Sequence, residues 1–132
     1  MLFVCLHNAG RSQMSQALFE RSAGGRHEAR SAGTEPAERV HPNVVTVMRE
    51  EGIDVGGHVP QKLTDDLGRW ADVVITMGCG DSCPVIPGKR YIDWDLRDPK
   101  DLPLDEVRQI REDIEGRVAQ LVKELDRAGP RG

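Results

Sequence analysis

Cys5, Arg11 and Ser12 frame the stretch "CLHNAGRS" at residues 5 to 12, and these side-chain types suit one kind of chemistry. A thiolate is a strong nucleophile, and a guanidinium grips two oxygens of a tetrahedral anion. A hydroxyl beside the sulfur can donate a hydrogen bond to it. Between Cys5 and Arg11 lie Leu6, His7, Asn8, Ala9 and Gly10. Glycine and a small alanine let that backbone curl, so that its amide N–H groups converge on one anion. The chemistry expected is attack by Cys5 on an oxyanion cradled by the loop amides and Arg11. A C-x5-R spacing alone is common by chance, so its setting must decide.

The setting is favourable. "MLFVCL" at residues 1–6 is an apolar run suited to a buried strand, and "RSQMSQALFERSA" at 11–23 places Met14, Ala17, Leu18 and Phe19 on one helical face. Gly24 and Gly25 close that helix. Residues 5–12 therefore fall at the carboxyl end of a strand and the amino end of a helix, where the helix dipole favours an anion and a thiolate. Further along, "HEARSAGT" (27–34) reads as a second strand, and residues 41–53 as a helix with Pro42 in its first turn and Gly52 at its end. Thr64 reads as the N-cap of a short helix running to Trp70, followed by the strand "DVVITM" (72–77). A Gly- and Pro-rich loop (78–89) leads to a fourth strand, "RYIDW" (90–94), and a polar loop (95–101). Leu104, Val107, Ile110, Ile114, Val118, Leu121, Val122 and Leu125 then repeat at helical spacing. The alternation predicts an α/β fold. It consists of a single domain over residues 1–132, with an open parallel four-stranded sheet and helices on both faces.

Composition narrows the partners. The 132 residues carry a net charge of −4, with 38% apolar and 30% charged residues. No chain-wide basic field exists to attract nucleic acid or an anionic membrane, so an anion must be held locally. No apolar run approaches the roughly 18 residues of a membrane span, and the first six residues lack a basic leader, so a cytoplasmic protein is expected. The cysteines are three, at 5, 79 and 83. An odd number suits a reducing compartment, where burial, catalysis and metal binding are the alternatives. Cys79 and Cys83 could hold zinc with His58, His7 or His27, but no second Cys/His pair at ligand spacing supports it. No cofactor or metal is expected.

The segment "VCLHNAGRSQMSQALF" resembles the active-site loop of the low-molecular-weight tyrosine phosphatase superfamily, and more closely that superfamily's arsenate reductase branch. The similarity extends through "SAGT" (31–34), "GIDVGGH" (52–58), "ADVVITMGCGDSCP" (71–84) and "DWDLRDP" (93–99). It implies a low-molecular-weight phosphatase-like fold acting on arsenate, with phosphate or sulfate competing. Among 22 acidic residues, it also selects Asp98 as general acid, because the family carries its acid in a matching Asp-Pro. The residue itself agrees, since Pro99 restricts Asp98 to an extended conformation on a stiff loop.

A reductase needs a thiol to resolve the Cys5–arsenic adduct, and the resemblance assigns this to Cys79 and Cys83. Thioredoxin would then restore the enzyme; the alternative is a reductase coupled to mycothiol and a glutaredoxin-like protein, in which Cys5 is the sole essential thiol. Two departures stand out. Cys79 lies two residues beyond the strand end rather than directly at it. Some relatives also bind potassium through Asn, Ser, Thr and Asp; Asn8 and Ser31 match, but the other two positions are Val59 and Gln61, so no such site is expected. A phosphatase remains the enzyme alternative, although Lys100 and Asp101 stand after Asp98-Pro99 where phosphatases carry aromatics. A phosphocysteine carrier or oxyanion sensor is the binding-module alternative.

Overall fold

Leu2, Phe3, Val4 and Cys5 are all buried, as residues of a central strand covered on both faces must be. This strand, β1 (Leu2–Cys5), pairs in parallel with β2 (Arg30–Gly33) on one side and with β3 (Val73–Met77) on the other. Outside β3 lies β4 (Arg90–Asp93), giving the order β2-β1-β3-β4. The computed structural model describes residues 1–78 and 88–127; Cys79 and Cys83 lie outside the described residues. The four-stranded parallel α/β architecture expected from the alternation is the one observed.

Side chains alternate across β1. Phe3 and Cys5 face a large core built from α1 (Arg11–Ala23), α2 (Pro42–Arg49) and α4 (Leu104–Arg127). Leu2 and Val4 face a smaller cluster under α3 (Asp65–Trp70), with Leu67 and Trp70 packed against it. Phe3 anchors the larger core, its ring 5.6 Å from Phe19 and 5.9 Å from Trp94. Removing such a ring costs about 3–5 kcal/mol. Trp94 is therefore a core residue.

Local signals set the helix ends. Gly24 takes a left-handed φ of 57° and returns its N–H to Glu20 O at 3.1 Å, ending α1. Thr64 Oγ1 accepts from Leu67 N at 3.2 Å, starting α3. In α1 the polar residues Arg11, Ser12, Gln13 and Ser15 are buried along with Met14, Leu18 and Phe19. A helix that buries its polar first turn is oriented by something other than oil.

β1 sits where the strand order reverses, with β2 to one side and β3 to the other. Cys5 pairs with Gly33 and with Met77 at the carboxyl edge. Ligand sites of open α/β sheets form at this reversal.

Candidate active site

The loop after Cys5 is shaped by what its carbonyls do. Cys5 O accepts from Thr34 N (3.2 Å), Leu6 O from Glu35 N (2.8 Å), His7 O from Ala37 N (2.9 Å) and Ala9 O from His41 N (2.9 Å). Asn8 O accepts from the Gln13 side-chain amide at 3.1 Å. Each planar trans peptide points its N–H opposite its carbonyl. With five successive carbonyls tied outward, the N–H groups of Leu6 through Gly10 turn to the other side, and that of Asn8 reaches Cys5 Sγ at 3.3 Å. Gly33 makes room for this curl, because a Cβ there would lie 2.8 Å from Leu6 O and 2.9 Å from Asn8 N.

Asn8 holds the loop from inside. Its φ of 50° is a left-handed conformation that asparagine tolerates better than most residues. Its Oδ1 accepts from Gln61 N (3.0 Å) and Gln13 Nε2 (3.2 Å), leaving Nδ2 to donate to Ser12 Oγ at 2.7 Å. Ser12 Oγ lies 2.9 Å from Cys5 Sγ, and Cys5 is 2% exposed. Around this, Ser31 Oγ donates to Gln16 Oε1 (2.6 Å) and Gln61 Nε2 donates to Ser31 O (2.8 Å). Gln61 thus presents an N–H beside Ser31, a group that repels a cation. Val59 is 77% exposed and carries no oxygen on its side chain. These residues do not fit a potassium ion.

Arg11 comes from the helix side. It is 6% exposed, donates from Nη1 to Leu96 O at 3.2 Å, and places Nη2 3.7 Å from Asp98 Oδ2. Its Nε is buried without a hydrogen-bond partner among the described residues. The guanidinium lies where a side chain at Gly78 would have to go, and Gly78 has a φ of 79°. Asp98 reaches the site because Pro99 packs on Gly10; a Cβ on Gly10 would lie 2.6 Å from Pro99 Cγ. The structure therefore brings Cys5, the loop amides, Arg11, Ser12 and Asp98 to one place. His7 stands at its rim, its ring 6.4 Å from that of His41.

Two residues that pattern reading passes over sit in the same place. His41 caps α2, bonds the loop through its backbone, and lies close to Asp98. Burial pushes its imidazole below the ordinary histidine range, against the opposing pull of the Asp98 charge. Asn43, in the first turn of α2, bonds the loop that carries Asp98. Only the unusual run His-Pro-Asn at a helix start marks them in the sequence.

The model of the low molecular weight phosphotyrosine protein phosphatase family matches residues 1–131. The chain belongs to that family. Within its reach, the chain is 42% identical over 129 residues to a putative arsenate reductase of Halobacterium salinarum, covering 94% of this chain and 91% of the relative. It is 32% identical to a glutaredoxin arsenate reductase of a Synechocystis species, over 95% of this chain and 97% of the relative. Among solved structures it resembles a thioredoxin-dependent arsenate reductase of Corynebacterium glutamicum, at a TM-score of 0.84 and 46% identity. That match covers 96% of this chain but 61% of the other protein, which is longer. For a member of the phosphatase family, the outward-tied carbonyls and the buried arginine have a shared consequence. The freed amides and the guanidinium offer N–H donors of the kind that bind a tetrahedral anion, and one of them, the Asn8 amide, lies 3.3 Å from the sulfur of Cys5.

Proposed function

We propose that the chain is an arsenate reductase in which Cys5 attacks arsenic and Cys79 and Cys83 carry the oxidation away. The observation that supports it most is the cradle. Amides freed by five outward-tied carbonyls, together with the Nε of buried Arg11, which has no partner among the described residues, suit an anion of phosphate or arsenate shape. The relatives named above are arsenate reductases, which favours arsenate, and the polar Lys100 and Asp101 after Pro99 offer no wall for an aryl ring.

In the first step Cys5 Sγ forms a bond to arsenic and one arsenic–oxygen bond breaks. Asp98 gives its proton to the departing oxygen, which leaves as water. Ser12 and the Asn8 amide steady the sulfur, while Arg11 and the loop amides carry the charge on the remaining oxygens. In the second step a thiolate attacks Cys5 Sγ. The sulfur–arsenic electron pair stays with arsenic, which departs as arsenite, reduced from the pentavalent to the trivalent state. Two thiols become one disulfide, so the two electrons balance. A dithiol protein such as thioredoxin restores the thiols by exchange, which suits a reducing cytoplasm.

The test is arsenate-dependent NADPH consumption with thioredoxin and its reductase, comparing the unmodified chain with Cys5→Ser, Cys79→Ser and Cys83→Ser. Loss of turnover in Cys5→Ser and in one or both of the others supports the relay. Full turnover of both Cys79→Ser and Cys83→Ser with a small thiol and a glutaredoxin would leave Cys5 as the sole essential thiol. Aryl phosphate hydrolysis without arsenate turnover under any donor would make the chain a phosphatase.

A further inference from the structure

The loop that carries Asp98 is a tight turn. Leu102 N bonds back to Pro99 O at 3.1 Å, and Lys100 N bonds to Asp98 Oδ1 at 3.0 Å. Asp101, inside the turn, has a φ of 60°, a left-handed conformation that aspartate tolerates better than most residues. The turn is also held from outside. Asn43 Nδ2 donates to Pro99 O at 2.8 Å and to Leu102 O at 3.2 Å, so one amide clasps both ends of the turn. Asn43 Oδ1 is meanwhile fixed by Val44 N at 2.9 Å, which sets which end of the amide faces the loop. Two residues earlier, His41 N holds Ala9 O of the cysteine loop at 2.9 Å. The first turn of α2 therefore grips the anion loop with one residue and the Asp98 loop with another.

We infer that Asn43 is a positioning residue for the proton donor: it holds Asp98 at the height above the cradle from which a proton reaches the departing oxygen. This rests on the role of Asp98 proposed above. Pro99 is seated on Gly10, so the turn has a floor, and Asn43 supplies the clamp from the side. Without the clamp, Asp98 would still approach Arg11 but would sample many heights. Displacement by about 1 Å is enough to cost a large factor in a proton transfer. Anion binding, which uses Arg11 and the loop amides, would be spared.

The experiment is a double-mutant cycle on arsenate turnover, with phosphate as the probe of anion binding. Asn43→Ala should lower kcat about tenfold or more, within the roughly 100-fold or larger share of a general acid, while competitive inhibition by phosphate changes by less than about threefold. Adding Asn43→Ala to Asp98→Asn should cause no further loss, because the clamp then has no proton donor to position. Asn43→Asp, which keeps the acceptor for Val44 N and loses both donations, should reproduce the kinetic loss with an intact fold. Unchanged kcat in both Asn43 variants would overturn the inference. So would losses that multiply in the double variant, or phosphate affinity that falls in step with kcat. An Asp98→Asn enzyme as fast as the unmodified chain would instead overturn the assignment of the acid itself.

Discussion

Ser12 Oγ lies 2.9 Å from Cys5 Sγ and accepts from Asn8 Nδ2 at 2.7 Å, which leaves its own hydrogen free to point at a thiolate sulfur. Toward a thiolate the donors run one way, from Gln13 Nε2 to Asn8 Oδ1, from Asn8 Nδ2 to Ser12, and from Ser12 to Cys5. Ser12→Ala breaks the last link and strands Asn8 Nδ2 in a buried place. A hydrogen bond to a charged group contributes about 1.5–3 kcal/mol, so arsenite formation in a single turnover should slow by about tenfold or more. Urea unfolding should also show a loss of about 1–3 kcal/mol from the stranded amide. A single-turnover rate equal to that of the unmodified chain would remove Ser12 from the chemistry.

Gly78 makes space for the guanidinium of Arg11 and holds a φ of 79°. Gly78→Ala meets both obstacles. The left-handed backbone costs about 1–2 kcal/mol for a residue with a Cβ, and the methyl drives Arg11 from its seat. Phosphate binding by calorimetry should weaken by about tenfold or more, the worth of a charge-assisted contact of about 1.5–3 kcal/mol. Retained affinity would mean that Arg11 reaches the anion from another position.

Glu50 ties α2 to α4. Its carboxylate takes Arg108 Nη2 at 2.7 Å and Arg111 Nη1 at 2.8 Å, and hydrogen bonds from these two guanidiniums pull its pKa from 4.5 to about 2. The unfolded chain binds this proton at higher pH than the folded one. The contribution is thus complete above about pH 4.5 and lost as pH falls from there toward 2. Glu50→Gln should be less stable at pH 7 and should lose less stability than the unmodified chain between pH 5 and 2. Parallel acid-unfolding curves for the two proteins would show that the pair contributes nothing measurable.

The cysteine loop could be read from the sequence because everything that builds it is local. An apolar strand, a glycine and a helix lie within 23 residues of one another, and their periodicity says which faces are buried. The ends of α1 and α3 were legible for the same reason, in Gly24 and Thr64. The proposed acid could not be found this way. Asp98 is one of 22 acidic residues, and only family resemblance singled it out. Its place depends on Pro99 meeting Gly10, on Asn43 meeting Pro99, and on Leu96 meeting Arg11 across 85 residues of chain.

The sequence by itself determined the class of fold, the strand and helix that flank Cys5, and the residue types of the cradle. Hydrophobic period and capping chemistry act between near neighbours and leave their mark in short windows. The tertiary structure alone decided the strand order β2-β1-β3-β4, since apolar strands look alike and differ only in which neighbour packs best. It also decided that residues 34–41 tie four of the five loop carbonyls outward and that α2 clasps the Asp98 turn. Each of those bonds ends on a backbone carbonyl, a group that every residue possesses. No side-chain pattern records them until the chain has folded.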